Sequence, residues 1–282
     1  MKKLKNKLTS KLQPSKPSEP NHPPTKPSKP NSLEIHTLYS DPHPDIDIIA
    51  IHGHNGHYTE TFTHPTTQNN WLTTLLPALT TSTGHHPRIL SFSYTKTAEA
   101  SLGTSFIASS FLSTLVSLRP DPSRPILWIA HSFGGPLLHG LLSLDGAEGV
   151  NDIRVATKAI LFFGVDKAGG GWTNLALASE EAGMSAEMRK LRAEVVWLGS
   201  SEVRYRELFR ERGWFVRFFL EGGEGEGELT QENVVRLGKR HGEMVRFAGE
   251  EDEDWMRVRD VLVEVLERCF GRGEGKGVVR DE

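Results

Sequence analysis

Ser132 lies in a stretch whose residue types could make a serine hydroxyl a nucleophile. The stretch, Ile126-Leu-Trp-Ile-Ala-His-Ser-Phe-Gly-Gly-Pro136, predicts a buried strand, a tight turn and the start of a helix. Such a turn is strained and exposes the hydroxyl at the carboxyl end of a parallel strand, with small residues where helix and strand nearly touch. Ala130 and Gly134 fill those positions. Ser132 is therefore a candidate nucleophile, against the simpler interpretation of a strand that ends in a glycine-rich turn.

A second glycine-containing turn, His52-Gly-His-Asn-Gly56, follows the apolar run at 45–51. A nucleophilic serine needs backbone N–H groups that stabilise the negatively charged oxygen of the tetrahedral intermediate, and one such donor is worth ~3–4 kcal/mol. The candidate donors are the N–H groups of His54, or alternatively Gly53, and of Phe133. The same segment could also be no more than a flexible glycine turn.

The histidines of this turn also allow a metal site. His52, His54 and His57 form an H-x-H-x-x-H pattern, and His64 lies nearby. Imidazoles at such spacing can bind zinc. The pattern resembles the first ligand motif of metallo-β-lactamase-like hydrolases, but Gly56 stands where that motif has an acid. Because a metal site would leave the turn at Ser132 unexplained, we expect no metal and no cofactor.

A base and an acid should follow Ser132, since the order on this kind of sheet is serine, acid, histidine. His241 is the only histidine after His139 and is the candidate base. Glu221, directly after a predicted strand, is the favoured acid, and Asp166, after the preceding strand, is the alternative. A surface histidine is the simpler interpretation of His241, and a solvated acidic run that of the neighbouring Glu224, Glu226 and Glu228.

Apolar runs alternate with amphipathic stretches along the chain. Strands are predicted at 33–39, 45–51, 88–94, 126–130, 158–164, 214–220 and 234–235, and helices at 70–79, 104–118, 136–144, 173–212 and 255–270. We expect Asn70 to cap the first helix, Asp254 to precede the last one, and breaks near Gly183 and Gly199. This alternation predicts an α/β fold, a mostly parallel doubly wound sheet with helices on both faces and no large lid. Ligands bind such sheets at the carboxyl ends of the strands, where the candidate residues lie.

Composition limits the class of protein. The 282 residues are 37% hydrophobic and 24% charged, with a formal net charge of -3, which is ordinary for a globular domain. Residues 1–30 carry eight lysines and one acid, so that the rest is acidic by about -10, which argues against nucleic acid as a partner. No apolar run approaches the ~18 residues of a membrane span. The single Cys269 excludes an intramolecular disulfide and is expected to be a buried thiol.

We expect one domain at 33–270, between disordered tails at 1–32 and 271–282, since both tails have few apolar residues. Leu4, Leu8 and Leu12 share one helical face of the lysine-rich start. A solvated basic tail is the favoured interpretation and a mitochondrial targeting segment the alternative. The expected location is intracellular and cytoplasmic, with mitochondrial or endoplasmic reticulum association as alternatives and with peripheral membrane contact allowed.

Seven segments, taken in their order along the chain, resemble the lipase-like α/β-hydrolases of the serine-active-site-containing group. In fungi these hydrolases also occur as N-terminal domains ahead of NACHT or repeat modules. The matching pieces span 45–265 and are Asp45–Gly56, Asn70-Trp71, Arg88–Tyr94, Ile129–Gly135, Ile160–Gly164, Phe218–Glu221 and His241–Phe247. The resemblance implies a serine hydrolase of carboxylic esters, including lipid esters, with Ser132 as nucleophile, His241 as base and Glu221 as acid.

One departure keeps a second hypothesis open. After the Phe-Phe-Gly strand the family usually reads Thr-Pro-His-Arg-Gly, whereas this chain has Val165-Asp-Lys-Ala-Gly169. The altered loop, together with the short stretch between Glu221 and His241, is compatible with a catalytically weak binding or signalling module. A histidine-ligated metallohydrolase is the third hypothesis.

Overall fold

The computed structural model describes residues 33–94, 102–165, 186–222 and 233–271, with the side chains of 186–192 not included. These ranges contain a seven-stranded sheet. Its strands are β1 (Glu34–Ser40), β2 (Ile46–Ile51), β3 (Pro87–Ser93), β4 (Ile126–His131), β5 (Thr157–Phe163), β6 (Phe215–Glu221) and β7 (Val234–Leu237). All of the predicted strands are therefore present, within one or two residues of their expected ends.

The strand order is β1-β3-β2-β4-β5-β6-β7. Edge strand β1 runs antiparallel to β3, and the other neighbouring pairs are parallel. The chain builds outward in one direction from β2 and in the other from β4. The point where the order reverses lies between these two strands, and ligands of such sheets bind there at the carboxyl ends.

The helices are α1 (Leu75–Ser82), α2 (Thr104–Ser117), α3 (Gly134–Leu142), α4 (Val150–Ala156), α5 (Ala186–Arg212) and α6 (Glu253–Val265), which continues as a π-helical turn over Leu266–Phe270. A short 3₁₀ turn spans Glu60–Phe62. No helix among the described residues is both long and apolar enough to cross a lipid bilayer.

Helices cover both faces of the sheet. In β2, Ile49 and Ile51 pack in the cluster that contains α2, α3, α4 and α5, whereas Ile48 and Ala50 pack in the cluster of α1 and α6. Every residue of β2 is buried, as expected for a parallel strand with layers on both sides. The predicted doubly wound α/β architecture is confirmed, and it is that of the α/β-hydrolase fold. The expectation of no large lid falls partly on segments outside the described ranges.

The prediction that a helix starts at Asn70 was wrong, because α1 begins only at Leu75. Proline lacks an N–H and its ring collides with the carbonyl four residues earlier, so it fits a helix only in the first turn. With the helix starting at Leu75, Pro77 falls in that turn. The Asn70 side chain instead accepts a hydrogen bond from the N–H of Leu72 (3.1 Å) and stabilises the preceding turn.

The predicted break at Gly199 was also wrong. Helix α5 runs through this glycine without interruption. A glycine inside a helix costs only about 0.5–1 kcal/mol relative to alanine, and the burial of Leu198 and Tyr205 on the same helix offsets that cost. Gly183 lies outside the described residues.

Helix α4 was missed by the sequence analysis, since its seven residues are too few for a clear period. The start of α6 also differs from expectation. Asp252 is its N-cap and accepts hydrogen bonds from the N–H groups of Asp254 (3.1 Å) and Trp255 (3.2 Å), so Asp254 lies within the first turn. The predicted tails at 1–32 and from 272 onward lie outside the described residues.

A buried ion cluster fixes the amino end of β2, at the end of the sheet opposite Ser132. The fully buried carboxylate of Asp47 binds Arg88 through two hydrogen bonds (2.7 and 2.9 Å), Arg119, and Arg124 (3.3 Å). A buried charge is tolerated when it is paired in this way. The cluster ties the amino ends of β2 and β3 to the loop between α2 and β4.

Candidate active site

Ser132 occupies the turn between β4 and α3. Its φ of 53° lies in the left-handed region, which residues other than glycine rarely adopt and which persists only where the surroundings impose it. The Ser132 N–H donates to the carbonyl oxygen of Phe163 (2.8 Å), and its own carbonyl accepts from the N–H of Gly135 (3.0 Å). This strained strand–turn–helix backbone is the one that a nucleophile elbow needs.

The glycine two residues after Ser132 is required by close packing. A methyl group at Gly134 would lie 2.6 Å from the carbonyl oxygen of Ile51 and 2.9 Å from that of His52. A methyl at Gly135 would meet the side chain of Val165 at 2.7 Å. Helix α3 can therefore start against the end of β2 only with small residues at these positions.

His241 lies on the turn that follows β7, and its side chain reaches Ser132. The distance from His241 Nε2 to Ser132 Oγ is 2.9 Å, so the two can share a hydrogen bond. A neutral imidazole with its proton on Nδ1 accepts the serine hydroxyl proton at Nε2. This distance is the one that general-base activation of a serine requires.

The loop that carries His241 is fixed from both sides. Before His241, the N–H groups of Gly238 and Lys239 donate to the two carboxylate oxygens of Asp254 (2.9 and 3.0 Å). After it, the Val245 carbonyl accepts from the indole N–H of the buried Trp71 (2.9 Å). Apolar burial adds to these bonds, since Met244, Val245 and Phe247 belong to the core beside α6.

The favoured acid, Glu221, is the last residue of β6 and is exposed. Its Oε2 accepts a hydrogen bond from the main-chain N–H of His241 (3.2 Å) and not from the imidazole. The ring edge of His241 lies beside the end of β5, because a methyl at Gly164 would be 2.7 Å from both Nδ1 and Cε1. Asp166 follows that strand end but lies outside the described residues, as do Glu224, Glu226 and Glu228.

Two chain segments that could supply oxyanion donors flank Ser132. The turn after β2 touches Ser132, since a methyl at Gly53 would lie 2.7 Å from Ser132 Cβ and 3.2 Å from Oγ. Phe133 is the residue before α3, so its N–H has no partner within the helix. The positive end of the helix dipole faces the same place. The His54 ring meets the Phe133 ring edge-on at 6.2 Å.

The histidines considered as metal ligands do not converge. His52 is buried and stacked on Tyr94 at 4.2 Å, with Nδ1 2.8 Å from the carbonyl oxygen of Gly53. Burial lowers the pKa of His52 from its ordinary 6.5 to about 4, so the ring is neutral. His57 Nδ1 accepts from the N–H of Thr59 (3.3 Å), and His64 contacts its own turn. Within the described part of the chain, no group of three or more histidine, cysteine, aspartate or glutamate residues could hold a metal ion.

The sequence analysis missed His131, which directly precedes the nucleophile. It is buried, and its Nε2 lies 3.0 Å from the main-chain oxygen of His241. The available signal was a titratable residue at the end of an otherwise apolar strand, where it had been treated as part of the turn.

Proteins similar to this chain are found among the solved structures. No protein-family model matches the sequence, and no curated protein matches it. Among solved structures it is similar to a lipase in its open form (14% identity, covering 86% of this chain and 96% of that one, TM-score 0.47). It is also similar to Est1E from Butyrivibrio proteoclasticus (12%, 84% and 94%, TM-score 0.49) and to alpha/beta hydrolase domain-containing protein 10 from mouse (12%, 86% and 97%, TM-score 0.42).

Proposed function

We propose that this protein is a serine hydrolase that cleaves carboxylic esters, including lipid esters, without a metal or other cofactor. The observation that carries the proposal is the 2.9 Å distance between Ser132 Oγ and His241 Nε2, on a turn where Ser132 has a positive φ. The resemblance of the sequence to lipase-like α/β-hydrolases of the serine-active-site-containing group supports the choice of esters.

In the proposed reaction, His241 Nε2 takes the hydroxyl proton while Ser132 Oγ attacks the ester carbonyl carbon. The carbonyl oxygen becomes an oxyanion, which the N–H groups of Phe133 and of His54 or Gly53 would stabilise. Collapse of this intermediate expels the alcohol, which receives the proton from His241, and leaves an acyl group on Ser132. In the second half, His241 Nε2 takes a proton from water, whose oxygen attacks the acyl carbonyl carbon. Collapse then releases the carboxylic acid, and Ser132 Oγ receives the proton from His241.

We assign the acid to Glu221. Its carboxylate lies at hydrogen-bond distance from the main-chain N–H of His241, and we propose that in the active enzyme it also accepts from Nδ1–H. There it would hold the imidazole tautomer and stabilise the imidazolium. Asp166 remains the alternative because the Nδ1 edge of His241 lies beside Gly164, two residues before it.

A second candidate function, a catalytically weak binding or signalling module, is favoured by one observation. Glu221 contacts the main chain of His241 rather than its ring, and a base without its acid is a poor catalyst. This candidate predicts that a purified protein binds ester-like ligands but turns them over at a rate close to that of the Ser132→Ala variant.

Hydrolysis of a short-chain nitrophenyl ester separates the two candidates. The proposal predicts turnover that falls by about three or more orders of magnitude in Ser132→Ala. Ser109→Ala is a matched control, since Ser109 is exposed on α2 and bonds only to the carbonyl oxygen of Ser105 (2.9 Å), and it should keep the wild-type rate. Equal rates in wild type and Ser132→Ala would contradict the serine mechanism.

A further inference from the structure

His131 forms a direct link between the central strand and the loop of the base. It is the last residue of β4 and only 6% exposed. Its Nε2 lies 3.0 Å from the carbonyl oxygen of His241. A carbonyl oxygen can only accept, so Nε2 carries the proton and donates. Burial lowers the pKa of His131 to about 4, so the ring is neutral near pH 7 and its tautomer is fixed with the proton on Nε2.

The His131 ring has little room to turn. A methyl at Gly53 would lie 3.3 Å from its Nδ1, and its ring centroid is 5.3 Å from that of His241. Nδ1 is buried without a hydrogen-bond partner among the described residues. Among the described residues, the one hydrogen bond of this side chain is therefore the bond from Nε2–H to the His241 carbonyl.

Both main-chain groups of His241 are therefore held. Glu221 accepts from its N–H (3.2 Å), and His131 donates to its carbonyl (3.0 Å). His241 is exposed, so its position depends on these two bonds, on the contact of Nε2 with Ser132 Oγ and on the more distant anchors of the loop. Of the two, the His131 bond starts from a rigid, buried strand, whereas Glu221 is exposed.

We propose that His131 is a positioning residue for the base: its Nε2–H holds the His241 carbonyl and so keeps the His241 imidazole at hydrogen-bond distance from Ser132 Oγ. The inference rests on the proposed serine mechanism. A misplacement of ~1 Å at reacting groups can cost about 100-fold in rate. Because His131 acts through the main chain of the base, its loss should lower kcat and leave KM nearly unchanged.

Two substitutions separate the hydrogen bond from the shape of the side chain. His131→Phe keeps a planar ring and removes the donor, whereas the amide of His131→Gln can place an N–H near the position of Nε2. His85→Phe is the control, since His85 is as deeply buried as His131 (5% exposed) but lies before β3, at the opposite end of the sheet. With a nitrophenyl ester, His131→Phe should lower kcat by ~10–100-fold with KM within about two-fold. His131→Gln should recover most of the loss, and His85→Phe should match wild type.

Wild-type kcat in His131→Phe would overturn the inference, and so would equal losses in His131→Phe and His131→Gln. Nitrogen NMR of histidine-labelled wild-type protein gives a test that needs no activity. We expect His131 near pH 7 to be neutral with its proton on Nε2, and a neutral ring with its proton on Nδ1 would refute the bond. A wild-type protein that lacks turnover but shows this tautomer would instead contradict the proposed function.

Discussion

Replacing Gly53 with alanine is expected to disturb the site although every residue of the proposed triad keeps its identity. The new methyl would lie 2.7 Å from Ser132 Cβ and 3.2 Å from Oγ. Carbon atoms in contact prefer ~3.5–4.0 Å, so the turn or the serine must move by about 0.8 Å or more. Ser132 Cβ is attached to a strained backbone at the start of α3 and cannot swing aside like the end of a long side chain.

The expected size of the effect follows from this movement. Overpacking of a tight site costs about 1–3 kcal/mol of stability. A displacement approaching 1 Å between nucleophile, base and oxyanion donors is expected to lower kcat by ~10–100-fold. The loss in kcat should exceed what the fraction of unfolded protein explains, because 1–3 kcal/mol leaves a protein of ordinary stability folded at 25 °C.

Gly242→Ala is the matched control. Gly242 is adjacent to His241, yet a methyl there would meet no atom within 4 Å, so kcat and the urea midpoint should stay near wild type. The assay is nitrophenyl ester hydrolysis on both variants, with urea unfolding in parallel. Wild-type kcat in Gly53→Ala, or an equal loss in Gly242→Ala, would refute the steric argument.

Three further predictions concern the acid, the buried histidines and the tail. Glu221→Gln should lose most of the activity, ~10⁴-fold in the serine protease that defines this effect, and Asp166→Asn should keep most of it; the reverse pattern would move the acid to the loop after β5. Burial lowers the pKa values of His52, His131 and His139 to about 4, about 4 and about 3. The free energy of unfolding in urea should therefore fall as the pH drops from about 6.5 to about 4, because the unfolded chain binds protons that the folded one excludes. A free energy that does not change over this range would contradict the burial of these histidines. Deleting residues 1–30 should leave Tm nearly unchanged, since the sequence offers no apolar residues for packing there beyond the first twelve, and a fall of more than a few degrees would show that the tail packs on the domain.

The fold could be predicted from the sequence because its main signals are local. Continuous apolar runs such as Ile46–Ile51 can be buried on both sides only in a parallel sheet between helices. The turn at Ser132 was predictable for the same reason, since a strand, a serine and two glycines occur within ten residues. The chain order then indicated that His241 would follow the last strand and reach the same edge.

What the sequence did not predict depends on tertiary contacts. The start of α1 is shifted by Pro77, whose effect depends on which helix turn it occupies. The contact of His131 with the His241 carbonyl joins residues 110 positions apart, and nothing local in either segment indicates it. The hydrogen bond from the His241 N–H to Glu221 was likewise not predicted, because it depends on how strand β6 places the carboxylate against the main chain of the loop.

The central claim is that Ser132 is a nucleophile activated by His241. Reaction of the purified protein with a fluorophosphonate, followed by mass spectrometry of the intact chain and of its peptides, tests it most directly. The account predicts one adduct, on Ser132, formed much more slowly in His241→Ala and absent in Ser132→Ala. No adduct on the wild-type protein, or an adduct that persists in Ser132→Ala, would contradict it.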